Sequence, residues 1–123
     1  MSNIELIDSH CHLIFENFEQ DLEDVVSRWR ERGVKKLLHA CCELSEIPKL
    51  KKISHDFDEI FYSVGLHPLE ANKWDINSKS LLENAAQEDR RVVAIGELGL
   101  DFFKIDLELF CHLWASRGCK PTE

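Results

Sequence analysis

Four short apolar runs rich in β-formers, each followed by a stretch with helical periodicity, confine this chain to a parallel α/β architecture. The runs are Ile4–Ile7, Val34–Cys41, Ile60–Val64 and Val92–Ile95. Parallel strands cannot be joined by a tight hairpin, and a helical crossover is the usual connection. After the first run, Phe18, Leu22, Val25, Val26 and Trp29 recur on one helical face, with Asn17 as the expected N-cap and Gly33 at the stop. Ser45 is placed to cap a second helix through about Ser54, with Pro48 tolerated only in its first turn. After a loop holding Trp74, a third helix is expected near Ser80–Gln87, where Leu81, Leu82, Ala85 and Ala86 share a side. A last helix is expected around Leu107–Ser116, running out at Gly118. The order βαβαβαβα predicts a parallel sheet, and 123 residues suffice for a single domain, 1–123, with its own core.

In folds of this class the functional groups gather at the carboxyl ends of the strands. His10 and His12 follow the first run; two residues apart in extended backbone, they point the same way. Asp8 shares their parity, whereas Ser9 and Cys11 face the other side. Two imidazoles so placed can pinch one divalent cation. His67 follows strand three in Gly65-Leu66-His67-Pro68, and Glu97 follows strand four in Gly96-Glu97-Leu98-Gly99. The end of strand two, Cys41-Cys42-Glu43, reads as uncommitted. His39, inside strand two, reads as a core histidine, His55 and His112 as helix-surface residues, and Trp29 and Trp114 as core-facing. Asp101 reads as a cap, and Trp74 is a candidate for base stacking on the strand-carboxyl side.

Composition narrows the partners. With 23 acidic and 15 basic residues the net charge is −8, and no Lys/Arg stripe offers an electrostatic footprint for nucleic acid. An acidic protein can still act on a phosphate when a metal supplies the local positive charge. The five cysteines (Cys11, Cys41, Cys42, Cys111, Cys119) contain no C-x-x-C pair and read as reduced residues, several of them in the core. No signal peptide is read at Met1-Ser2-Asn3, and no apolar run approaches the ~20 residues of a membrane helix. The expectation is a cytoplasmic protein without a membrane partner, or a nuclear one in a eukaryote.

Three segments in order, I-D-S-H-C-H-L (7–13), S-V-G-L-H-P (63–68) and A-I-G-E-L-G-L-D-F (94–102), make the chain resemble the TatD family of metal-dependent deoxyribonucleases, hydrolases built on (β/α)8 barrels. The resemblance covers the chain to about Phe103. It implies a TIM-barrel-type fold, His10 and His12 as ligands of one metal, and Glu97 as a carboxylate able to bridge to a second. It places His67 near the scissile phosphate or in contact with substrate. The implied cofactors are divalent ions (Mg2+, Mn2+ or Zn2+), up to two in a full-length relative, and the implied substrate is DNA. The implied chemistry is phosphodiester hydrolysis by water whose pKa the metal lowers toward ~7. Asp8 is a candidate partner behind the ligands.

A (β/α)8 barrel takes ~250 residues, and about four βα units are read here, so the chain corresponds to the N-terminal half of such a barrel. The family draws two further histidines and an aspartate from later strands. Weak metal binding and little or no nuclease activity are therefore expected of residues 1–123 alone. Val93 and Ile95, which share Glu97's parity, are expected to meet water, and the exposed strand edges offer a route to self-association. Two other readings are a hydrolase of the same superfamily acting on an amide, lactone or phosphotriester, and a non-catalytic interaction fragment. The first is disfavoured because Glu97 stands where many such enzymes use a modified lysine.

Overall fold

The computed structural model describes residues 4–18 and 20–101. Four strands, β1 (Leu6–Cys11), β2 (Val34–His39), β3 (Ile60–Val64) and β4 (Val92–Ile95), alternate with α1 (Leu22–Glu31), α2 (Ile47–Asp56) and α3 (Ser78–Glu88). The sheet is parallel throughout, in the order β1-β2-β3-β4. Because that order never reverses, there is no switch point of the doubly wound kind. Crossovers of one hand then lay successive helices on one face of the sheet, the winding of a TIM-type barrel. The expected helix around Leu107–Ser116, with His112 and Trp114, lies outside the described residues. Among the described residues no helix is long and apolar enough to cross a membrane.

The core lies between the helices and one face of the sheet. Leu13, Val26, Trp29, Leu37, Ile53 and Ile60 form one buried cluster. Cys41, Ile47, Leu50, Tyr62 and Val64 form a second, against which Leu82, Ala85, Ala86 and Val92 pack. Strand alternation sends Val93 and Ile95 to the opposite face, where they are 57% and 58% exposed, as expected. On that face Lys36 and Arg91 sit over the Phe61 ring, 4.9 and 5.3 Å from its centroid.

Strands three and four have the bounds read from the sequence; the other boundaries differ for local reasons. β1 starts at Leu6 and runs through His10 to Cys11, because pairing with β2 continues, with register breaks, to Cys11 opposite His39. The residues after it form a 3-10 turn, Glu16–Phe18, so the N-cap of α1 is Asp21 rather than Asn17. Before α2, the Glu46 carboxylate accepts from the backbone N–H groups of Cys42 (2.8 Å) and Glu43 (3.3 Å). Glu43 therefore caps this turn in a reciprocal capping box, and Ser45 only donates its hydroxyl to the Glu43 side chain. Gly33 ends the first helical segment at φ +85°, where a Cβ would stand 2.5 Å from the Ile4 carbonyl oxygen.

His39 is the satisfied core histidine expected. It is fully buried, its Nε2 accepts the Leu13 N–H at 2.7 Å, and its Nδ1 donates to the Ala40 carbonyl at 2.9 Å. Accepting at Nε2 requires a neutral ring, and burial pushes its pKa down to about 4. The unfolded chain takes up this proton below about pH 6.5 and the folded chain only below about pH 4. Stability should therefore fall on acidification through that window, by at most about 3 kcal/mol from this group. Urea titrations between pH 7 and pH 4 should show a dependence that flattens in His39→Gln; an unchanged slope would exclude His39 as its source.

Candidate metal centre

β1 delivers two imidazoles to one point. His10 Nε2 lies 3.2 Å from His12 Nε2 and 3.4 Å from Glu97 Oε1, and one donor atom from each residue falls within 4.8 Å of the others. The expected parity of His10 and His12 is what the extended backbone produces. The side chain of His10 is 55% exposed and that of Glu97 27%, so the cluster opens to solvent at the histidine. Packing orients His12: its ring stacks on Phe15 at 5.4 Å and meets the edge of His39 at 5.7 Å. Asp8 accepts the backbone N–H of His10 at 3.0 Å, bracing the chain rather than the ring.

Glu97 comes from the far edge of the sheet. β1 and β4 are three strand spacings apart, roughly 14 Å in a flat sheet, yet their side chains meet. Long side chains supply part of that reach; the rest comes from the chain after β4 leaning back over the end of β3. The Gly96 N–H donates to the Val64 carbonyl (2.9 Å), and the Glu97 N–H reaches past β3 to the Cys41 carbonyl (3.0 Å). Gly65 lies beneath this crossing. A Cβ there would stand 2.3 Å from Gly96 C and 2.6 Å from Glu97 O, so only glycine leaves room.

The end of β2 is not uncommitted. The Cys42 thiol donates to Glu97 Oε2 at 3.1 Å and lies 3.8 Å from His12 Nδ1. Burial first, and then the bond to Glu97, pushes its pKa up to about 12, so the thiol keeps its proton at neutral pH. Cys41 is fully buried, and its backbone N–H donates to Ser63 Oγ at 3.1 Å. The sequence signal for Cys42 was its place at a strand's carboxyl end. Its partners, far away in the chain, were invisible to spacing.

His67 stands apart from the three-atom cluster. Its Nδ1 accepts the Leu69 N–H at 3.2 Å, capping a 3-10 turn at Pro68–Lys73, and its own N–H donates to the Cys42 carbonyl at 2.8 Å. That use of Nδ1 places the ring proton on Nε2, which faces Asp101 Oδ2 at 3.9 Å. Asp101 thus approaches a candidate site residue, and the segment it was expected to cap lies outside the described residues. Trp74 is half exposed. His55 is a surface side chain, as read, and pairs with the buried Asp89 at 3.2 Å.

Two imidazole nitrogens and one carboxylate oxygen, converging from rigid strand ends, fit a divalent cation by donor type and by spacing. Residues 7–110 match the model of the family described as TatD related DNase. The chain is 36% identical over 107 residues to an uncharacterized metal-dependent hydrolase of Buchnera aphidicola, covering 80% of this chain and 40% of that protein. It is 34% identical over 98 residues to a 3'-5' ssDNA/RNA exonuclease TatD of Shigella flexneri, covering 79% and 37%. Its fold superposes on the crystal structure of the TatD homologue YjjV of Escherichia coli K12 with a TM-score of 0.76 and 30% identity, over 89% of this chain and 42% of that one. The chain spans about two fifths of the length of these relatives.

Gly65→Ala should push the Gly96–Glu97 backbone off the end of β3 and break the bond to Cys41. The expected cost is about 1–3 kcal/mol in chemical denaturation, with amide shifts concentrated at residues 41–42 and 96–97. A variant with native stability and unshifted amides would show that the crossing does not need a glycine.

Proposed function

The chain belongs to the TatD related DNase family, and from that premise we propose that it carries the N-terminal half of a (β/α)8 metal-dependent hydrolase whose substrate is DNA. The observation that carries this reading is the convergence of His10, His12 and Glu97 on one point from opposite edges of a parallel sheet. In this reading the three residues hold one divalent cation (Mg2+, Mn2+ or Zn2+). Such a cation supplies positive charge for a phosphate oxygen and lowers the pKa of coordinated water. A second cation bridged by Glu97 needs Oε2, which the Cys42 thiol engages here, together with donors beyond the three present.

The remaining roles follow from where protons sit. His67 carries its ring proton on Nε2, which faces Asp101 Oδ2 at 3.9 Å, and in this reading that N–H turns from the carboxylate to a phosphate oxygen of the substrate. His67 is therefore the substrate-binding residue of this reading, and Glu97 and His67 are its catalytic pair. With a net charge of −8, the chain relies on the cation and not on its surface to attract a nucleic acid. The half-exposed Trp74 offers a base a stacking surface. A cytoplasmic location, or a nuclear one in a eukaryote, accords with the free thiols of Cys11, Cys41 and Cys42 among the described residues.

One observation favours self-association as a second property. Among the described residues Ile7, Val93, Ile95, Leu98 and Leu100 are exposed, and β1 and β4 are the edges of the sheet. Metal-independent oligomers in size-exclusion chromatography are the expected result, and a strictly monomeric elution would remove this property.

Calorimetric titration of residues 1–123 with Mn2+ should give weak one-to-one binding that drops at least about tenfold in His10→Ala, His12→Ala and Glu97→Gln, as loss of one of three ligands requires. Unchanged binding in all three would sink the metal assignment. The same chain, free of host nuclease, should degrade DNA slowly or not at all with Mn2+. Efficient degradation that disappears in His10→Ala would overturn the expected weakness of the isolated half.

A further inference from the structure

Cys42 touches the reverse side of two metal-facing residues at once. Its sulfur is 3.1 Å from Glu97 Oε2 and 3.8 Å from His12 Nδ1, while the other atoms of the same groups, Glu97 Oε1 and His12 Nε2, point to His10 Nε2. Each of the two side chains thus offers one atom to the cluster and the other to the sulfur. A thiol can do both jobs, donating S–H to a carboxylate and accepting N–H from an imidazole. The backbone fixes its place, since the Cys42 N–H donates to Glu46 and its carbonyl accepts the His67 N–H.

We propose that Cys42 is a positioning residue that couples His12 to Glu97 through its thiol, setting the tautomer of the imidazole and the orientation of the carboxylate. The proton path reads His12 Nδ1–H to Sγ, then Sγ–H to Glu97 Oε2. With its proton on Nδ1, His12 presents a lone pair on Nε2 toward His10 and Glu97, the form in which imidazole ligates a metal. With Oε2 engaged, Glu97 presents Oε1. Partners of this kind behind a ligand commonly govern affinity by 10–100-fold. The proposal rests on the metal reading of His10, His12 and Glu97, but the contact itself is a property of the metal-free chain.

Two measurements on residues 1–123 test it. Long-range 1H–15N spectra of ring-labelled, metal-free protein should show His12 protonated on Nδ1, with a shift toward the Nε2–H form in Cys42→Ala and a return in Cys42→Ser. Calorimetry with Mn2+, a poor partner for sulfur, should show binding weakened roughly tenfold or more in Cys42→Ala and largely restored in Cys42→Ser. Because Mn2+ does not favour thiolate, that loss would report orientation and not a missing sulfur ligand. An unchanged His12 tautomer in Cys42→Ala, in a chain whose amide spectrum is otherwise native, would overturn the proposal. Mn2+ binding unaffected by His10→Ala would defeat the metal reading instead, and the metal-free tautomer measurement would still decide the role of Cys42.

Discussion

The hydrogen bond from the Glu97 N–H to the Cys41 carbonyl, made across the side-chain-free Gly65, is the constraint on which the rest of the site depends. It ties the exit of β4 to the exit of β2 and carries Glu97 over β3 toward β1. The same tie brings Glu97 Oε2 to the Cys42 thiol, because Cys42 immediately follows the accepting carbonyl. The Cys42 carbonyl in turn holds the His67 backbone. The exits of β2, β3 and β4 are thereby laced together by main-chain bonds, and the side chains of the candidate site stand on that lacing. Pre-organisation of this kind is what lets a small number of polar groups keep their spacing.

A second support comes from the core. Buried and neutral, His39 accepts the Leu13 N–H and so anchors the segment just after His12 to β2. Its ring edge then packs on His12, while Phe15 covers another side. The cost is a chain that prefers neutral pH, since a protonated His39 loses its acceptor. The cluster itself combines imidazoles with one carboxylate, a donor set suited to a divalent cation, in a chain of net charge −8.

Much of this was legible in residue order. Strands three and four have the bounds read from their apolar runs: β3 pairs on both sides and is mostly buried, and β4 pairs with β3 while Val92 packs against the core. The parity of His10 with His12, and of Val93 with Ile95, follows from strand geometry alone. The helix starts were less legible. Asn17 and Ser45 have the chemistry of caps, but a short 3-10 turn precedes each helix, so α1 is capped by Asp21 and α2 by Glu46, while Glu43 caps the turn before α2. The approach of Asp101 to His67 was not legible either, because it depends on which loop lies opposite.

By itself the sequence determined the parallel α/β class, the two histidines on one face, and a carboxylate at the end of β4, because alternation and periodicity are local properties of the chain. Only the tertiary structure decided that the edge strands' side chains meet, that Gly65 must be glycine for them to do so, and that Cys42 stands between His12 and Glu97. Those facts depend on how the sheet's ends lean toward one another and on backbone bonds between segments far apart in the chain. Such distances have no periodicity, so no spacing rule could have revealed them.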